Sequence, residues 1–198
     1  MCVVYDIISE KLVRELSKQK GGFSDNYKGL KILTIGRLVD AKGYDMAIEA
    51  CYRLKKEGLE FKWYVIGEGD LEKYKKLVKK YKLENYFIFL GVYSNPYTFL
   101  SQCDIYVQPS RFEGFGLAIA EARILGKPIV ATNFSVIHNQ LTNEKNGIIV
   151  NMDAESIYGG INKLVNNSRL VANLRTNLLN DKVGTEKELK KVYSLLEN

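Results

Sequence analysis

From Leu30 onward, short runs rich in Ile, Val, Phe and Tyr alternate with stretches whose apolar residues recur every three to four positions. No other feature restricts the fold of this chain so strongly. The runs at 31–35, 62–66, 86–90, 105–108, 128–131 and 148–150 have the length and β-branched or aromatic character of buried strands. Between them the spacing predicts helices over 44–56, 71–81, 97–102 and 116–125, with a short one near 136–141. Tyr44, Ala47, Ile48, Cys51 and Leu54 form one stripe, and Gly58 supplies a stop. Ser94-Asn95-Pro96 and Asp70 supply helix starts. Beyond Val150 helical patterns continue over 154–165, 169–179 and 185–196. About six strands separated by helices predict a parallel sheet covered on both faces. The expected fold is therefore α/β, a Rossmann-like, doubly wound sheet over residues 30–198. Residues 1–29 read differently: a lone amphipathic helix over 8–19 and a polar, glycine-containing linker suggest the join to a preceding domain.

The chain has 198 residues, enough for one core without metal or disulfide staples. Its three cysteines (Cys2, Cys51, Cys103) are scattered, which argues against a disulfide framework or a zinc site. No apolar run is long enough to span a membrane, and the N-terminus does not have the layout of a signal peptide. A cytoplasmic location is expected. The balance of 29 basic and 23 acidic residues, +6 overall, favours anionic partners without choosing among them. The lysine-rich segment Lys73 to Lys82 also carries Tyr74, Leu77, Val78 and Tyr81 at helical spacing, so it reads as the solvated face of an amphipathic helix.

The unusual residues fall at the ends of strands. Gly36-Arg37, Gly67-Glu68-Gly69, Gly91, Pro109 to Gly116 and Thr132-Asn133 follow successive strands. In a parallel sheet all five loops emerge at the carboxyl edge, where α/β sheets bind ligands. The first loop offers Arg37, a planar fork for phosphate oxygens, and Lys42, a compact charge. Its spacing is neither that of a P-loop nor that of a dinucleotide fingerprint. Taken alone, the two cations read as exposed loop charges.

The fourth loop runs Glu113-Gly114-Phe115-Gly116-Leu117 into an apolar helix that contains Glu121. A carboxylate among Ala118, Ile119, Ala120 and Leu125 is costly unless it is bonded or solvated, while glycines at a helix start expose amides to an anion. Paired with the cations, these carboxylates suit a ligand bearing both hydroxyls and phosphates. The plainer alternative is a surface glutamate and a helix glutamate pairing with Arg123 or Lys127. His138 reads as structural, and Glu68-Gly69-Asp70 as a helix cap rather than a metal triplet; no metal site is expected.

Gly36-Arg37-x4-Lys42-Gly43, Gly67-Glu68-Gly69 and Glu113-Gly114-Phe115-Gly116-x4-Glu121-Ala122, followed by Gly126-Lys127-Pro128, together resemble the C-terminal domain of family 4 glycosyltransferases of GT-B fold. The likeness runs over nearly the whole chain, and Val3 to Ile8 looks like that family's interdomain linker. The resemblance implies a retaining, metal-independent transfer of a hexosyl group from a UDP- or GDP-sugar, without cofactor, in cell-surface glycan or glycolipid synthesis. It implies that Arg37 and Lys42 hold the donor diphosphate and that Glu113 binds sugar hydroxyls. Backbone at Gly36, Gly67, Gly114, Phe115, Gly116 and Leu117 would approach the donor, Glu121 would take the ribose hydroxyls, and Val92 and Tyr93 would lie against the base.

Several further expectations follow from the resemblance. An N-terminal acceptor domain is absent, so this chain would hold half a site, bind nucleotide weakly and transfer nothing alone; peripheral membrane association would come through that other domain. No nucleic-acid partner is expected. The sequence departs from the family after the fifth strand, where a customary glutamate is replaced by an uncharged residue near Asn139 or Gln140. Competing readings are a non-catalytic nucleotide-binding module, another GT-B enzyme such as a nucleotide-sugar epimerase or a phosphorylase, and a hydrolase using Glu113 and Glu121.

Overall fold

The computed structural model describes residues 8–181 and residue 183. Six parallel strands, β1 (Leu30–Ile35), β2 (Phe61–Ile66), β3 (Phe87–Gly91), β4 (Ile105–Gln108), β5 (Ile129–Thr132) and β6 (Ile148–Val150), form one sheet in the order β3-β2-β1-β4-β5-β6. The expected doubly wound sheet is therefore present. Successive strand residues point to opposite faces, and both faces are apolar. Ile32, Trp63, Val65, Ile105, Val107 and Val130 pack into one layer, and Leu33, Tyr64, Ile66, Tyr106, Ile129 and Ala131 into the other. Trp63 Nε1 donates to Thr34 Oγ1 at 3.0 Å, and that hydroxyl donates to the Val107 carbonyl at 2.8 Å, tying the central strands together.

Helices α2 (Tyr44–Lys56), α3 (Leu71–Lys80) and α6 (Ala154–Val165) cover the first face, and α4 (Tyr97–Gln102) and α5 (Leu117–Ile124) the second. Helix α7 (Ser168–Asn180) lends Leu174 to one layer and Leu178 to the other. The bounds of α2, α4 and α6 are those the apolar spacing predicts. Gly58 sits in the left-handed region just past the end of α2, and the Asp70 carboxylate accepts from the Lys73 amide to cap α3. In α3, Tyr74 and Val78 are buried while the lysines face outward.

The helix expected near 136–141 is only a 3-10 turn at Ile137–Asn139. Gln140, which would extend it, is drawn away by two backbone carbonyls of the loop after β4. The helix expected over 185–196 and most of the Val3–Ile8 stretch lie outside the described residues.

Helix α1 (Glu10–Ser17) packs across α4 and α5, with Val13 buried beside Ala120 and Ile124. The polar segment after it closes over the amino edge of the sheet. Phe23 packs against Tyr64 and Phe99 with centroids 4.3 and 5.3 Å away, and Asp25 accepts from Lys62 Nζ and the Tyr64 hydroxyl, both at 2.7 Å. At the same edge Asp104 accepts from the Lys31 amide at 2.8 Å, and Lys127 donates to the Ser101 and Cys103 carbonyls. Among the described residues no helix is long and apolar enough to cross a membrane.

Candidate functional site

Strand β1 pairs with β2 on one side and β4 on the other. The chain leaves β1 toward α2 on one face and leaves β4 toward α5 on the opposite face. The two loops diverge, and the crevice between them is the topological switch point where doubly wound sheets bind ligands.

Both loops are held by backbone contacts that leave no room for side chains. Gly43, at φ +66°, starts α2 so close to the β4 loop that a Cβ would lie 2.0 Å from the Pro109 carbonyl oxygen. A Cβ on Gly67 would lie 2.0 Å from the Gly36 oxygen, so the loops after β1 and β2 lie backbone against backbone. Arg111 completes the clamp. Its amide donates to the Ala41 carbonyl at 2.8 Å, and its guanidinium grips Asp45 bidentately at 2.8 and 2.6 Å.

Across this clamp Lys42 Nζ donates to both oxygens of Glu113, at 2.6 and 2.7 Å. The pair is mostly withdrawn from water, with side chains 19% and 8% exposed, so each charge needs the other. Two of the predicted residues, 71 positions apart, are thus brought into direct contact. Gln108 Nε2 and Ser110 Oγ also donate to Glu113 Oε1, each at 2.7 Å. Arg37 stands exposed on the β1 loop, and its side chain has no partner among the described residues.

Gly116 takes φ +85° ahead of α5, with no side chain capping the helix. The first amides of a helix have no intrahelical acceptor, so this end presents unspent donors at the crevice. Gln140 fixes that turn by donating Nε2 to the Phe115 and Gly116 carbonyls, while its own Oε1 is buried without a partner. Gln140, one of the two uncharged candidates for that departure, is thus a brace for the glycine turn.

Glu121 is half-buried one turn into α5 and accepts from the Tyr97 hydroxyl at 2.8 Å. Burial pushes its pKa up, and the Tyr97 hydrogen bond offsets part of that rise. The plainer alternative for this residue is not realised, because Arg123 pairs with Asp181 at 3.4 Å and Lys127 with backbone carbonyls. A carboxylate with one donor and spare lone pairs suits a diol. Burial pushes the pKa of the Tyr106 phenol well up, and the charges of Glu113 and Glu121 add to that rise.

A groove of about 420 Å³ opens between the loops after β1, β2 and β3, with Leu38, Gly67, Gly69, Gly91 and Val92 among its walls. Tyr93 turns its ring edge toward Phe99, with centroids 4.4 Å apart. His138 is exposed, and among the described residues its ring meets Asn133 Oδ1, at 2.8 Å. Gln108, Ser110 and Gln140 are the residues that sequence reasoning did not single out as site residues. A polar residue closing an otherwise apolar buried strand is the signal Gln108 offered.

The family model described as "Glycosyl transferases group 1" matches residues 13–180. A putative colanic acid biosynthesis glycosyltransferase of Escherichia coli K12 is 32% identical over 130 residues, which cover 61% of this chain and 32% of that protein. The N-acetylgalactosamine-N,N'-diacetylbacillosaminyl-diphospho-undecaprenol 4-alpha-N-acetylgalactosaminyltransferase of Campylobacter jejuni is 26% identical over 171 residues, 85% of this chain and 45% of that protein. Among solved structures, Anabaena HepE in complex with UDP and glucose superposes with a TM-score of 0.84 at 19% identity, over 100% of this chain and 56% of its own. Staphylococcus aureus TarM, in complex with UDP among other ligands, gives 0.82 at 24% identity, over 100% of this chain and 39% of its own. These likenesses show a shared fold, and the chain spans less than half the length of both curated relatives.

Proposed function

The chain belongs to the group 1 glycosyl transferases, and on that premise we propose that it is the donor-binding half of a retaining, metal-independent enzyme that takes a hexosyl group from a UDP- or GDP-sugar. The observation that carries this reading is the Lys42–Glu113 pair at the β1/β4 switch point, with the unpartnered Arg37 on the same loop. Arg37 and Lys42 would neutralise the diphosphate as it leaves, doing by fixed positive charge what a divalent cation does elsewhere. Glu113 would accept sugar hydroxyls, and the opening amides of α5 would meet donor oxygens. Glu121 would take the two ribose hydroxyls, and the groove that includes Val92 would receive the base.

The greater length of the relatives, one of which is named for transfer to a diphospho-undecaprenol-linked acceptor, supports a second, acceptor-binding half that completes the cleft. This chain alone would then bind donor without turning it over. The relatives' names also support a place in surface-glycan assembly.

Calorimetry with UDP and with GDP tests the assignment. Charge-assisted hydrogen bonds contribute roughly 1.5–3 kcal/mol each, so Arg37→Ala and Glu121→Ala should each weaken the bound nucleotide at least about tenfold. Unchanged affinity in both variants rejects the site.

A further inference from the structure

Gln108 closes β4 with a side chain only 2% exposed, on the face of the sheet that also carries Tyr106 two positions earlier. A buried amide is costly unless both its ends are bonded, and here both are. The Tyr106 hydroxyl donates to Gln108 Oε1. Burial, reinforced by the charges of Glu113 and Glu121, pushes the Tyr106 pKa well up, so the phenol keeps the proton it donates. With Oε1 occupied in this way, Nε2 is turned toward the loop, where it donates to Glu113 Oε1 at 2.7 Å and to Ser110 Oγ at 2.8 Å. Ser110 Oγ in turn donates to the same carboxylate oxygen at 2.7 Å, and Thr132 Oγ1 donates to the Gln108 and Ser110 carbonyls from β5.

The two oxygens of Glu113 are therefore unequally filled. Oε1 accepts from Lys42, Gln108 and Ser110, and Oε2 from Lys42 alone among the described residues. Each carboxylate oxygen has two lone pairs, so Oε2 is the one with capacity to spare. We propose that Gln108 is a positioning residue for the donor site: its amide, fixed by Tyr106, pins Glu113 Oε1 and so reserves Oε2 for a hydroxyl of the donor sugar. This rests on Glu113 being the carboxylate that binds the sugar. Gln108 touches no ligand itself and acts on the sugar, not on the nucleotide.

Calorimetry on the 198-residue chain, with UDP-glucose set against UDP and GDP-mannose against GDP, reads that distinction. Gln108→Met keeps the volume and removes the amide. It should weaken nucleotide-sugar binding about tenfold and leave the nucleotide within about twofold. Gln108→Glu places a second carboxylate against Glu113, and two carboxylates that close share a proton. Its nucleotide-sugar affinity should then depend on pH where that of the unaltered chain does not. A residue that merely supports the fold would weaken both ligands alike, and that result overturns the proposal. So does unchanged nucleotide-sugar affinity in both Gln108 variants when Glu113→Gln lowers it. If Glu113→Gln itself leaves nucleotide-sugar affinity untouched, the donor-site reading is wrong and this proposal falls with it.

Discussion

The two edges of the sheet use the same kinds of residue to opposite ends. At the amino edge several charges are taken up within the fold: Asp104 caps the Lys31 amide, Asp25 joins Lys62 to Tyr64, and Lys127 closes two carbonyls. At the carboxyl edge Arg37 has no partner among the described residues, α5 begins without a side-chain cap, and Val39, Val92, Tyr93, Phe112 and Leu117 stand exposed. Large apolar side chains in water and unpaired cations both cost stability or forgo it. A fold optimised for stability alone would close this edge as it closes the other. The contrast is the physical argument for placing the candidate site at the carboxyl edge.

Substitutions at the two edges should therefore report on different quantities. The largest effect is expected where the carboxyl edge depends on bare backbone. Gly43→Ala drives a methyl group onto the Pro109 carbonyl at φ +66° and should cost about 3–5 kcal/mol in urea unfolding. A smaller loss would mean the two loops are less tightly joined than the geometry shows.

At the amino edge, burial raises the Asp25 pKa, but the hydrogen bonds from Lys62, Tyr64 and the Tyr27 amide prevail and lower it from 3.8 to about 2. A depressed folded-state pKa means stability that is present above about pH 4 and lost as the pH falls toward 2. Because Asp25 is a third exposed, solvent screening cuts its worth to about 1 kcal/mol. Asp25→Asn should be less stable than the unaltered chain by that amount at pH 6, with the two unfolding curves converging as the medium is acidified to about pH 2. A gap that persists in acid would assign the contribution to packing rather than charge. The smallest effect on stability belongs to Arg37→Ala, within about 0.5 kcal/mol, even though the same variant should lose nucleotide binding. Substantial destabilisation there would show that Arg37 serves the fold after all.

The difference between the edges also explains what could be read from the chain beforehand. Burial on both faces of a parallel sheet writes itself into sequence as runs such as Phe61-Lys62-Trp63-Tyr64-Val65-Ile66, so the strands and the helices between them, the turn before β6 excepted, were legible to within a residue or two. The positions of Arg37, Lys42 and Glu113 in loops at one edge, and of Glu121 in the helix that follows one of them, followed from the same pattern. Pairing did not. That Lys42 lies on Glu113 and not out in solvent depends on how two loops from different faces close on each other, which no local spacing encodes. Gln108 and Gln140 were missed for a related reason. Each acts through a hydrogen bond to a segment distant in the chain or bent back in a turn, and an amide side chain carries no charge to draw attention to it. Helix α1 was legible as amphipathic, but its docking on α4 and α5 was not, because an apolar stripe does not name the surface it will cover.

The Lys42–Glu113 contact joins positions separated by 71 residues, and it exists only once β1 and β4 lie side by side at the centre of the sheet. A partly folded chain with one of those strands misplaced offers a ligand no cradle, merely isolated charges in water. Ligand affinity is accordingly a reporter of the assembled central strand pair. By mass action, donor at a hundred times its dissociation constant should raise the unfolding free energy by about 2.7 kcal/mol. On the proposed reading, newly made chains would then be drawn toward the native state by the nucleotide-sugar they bind.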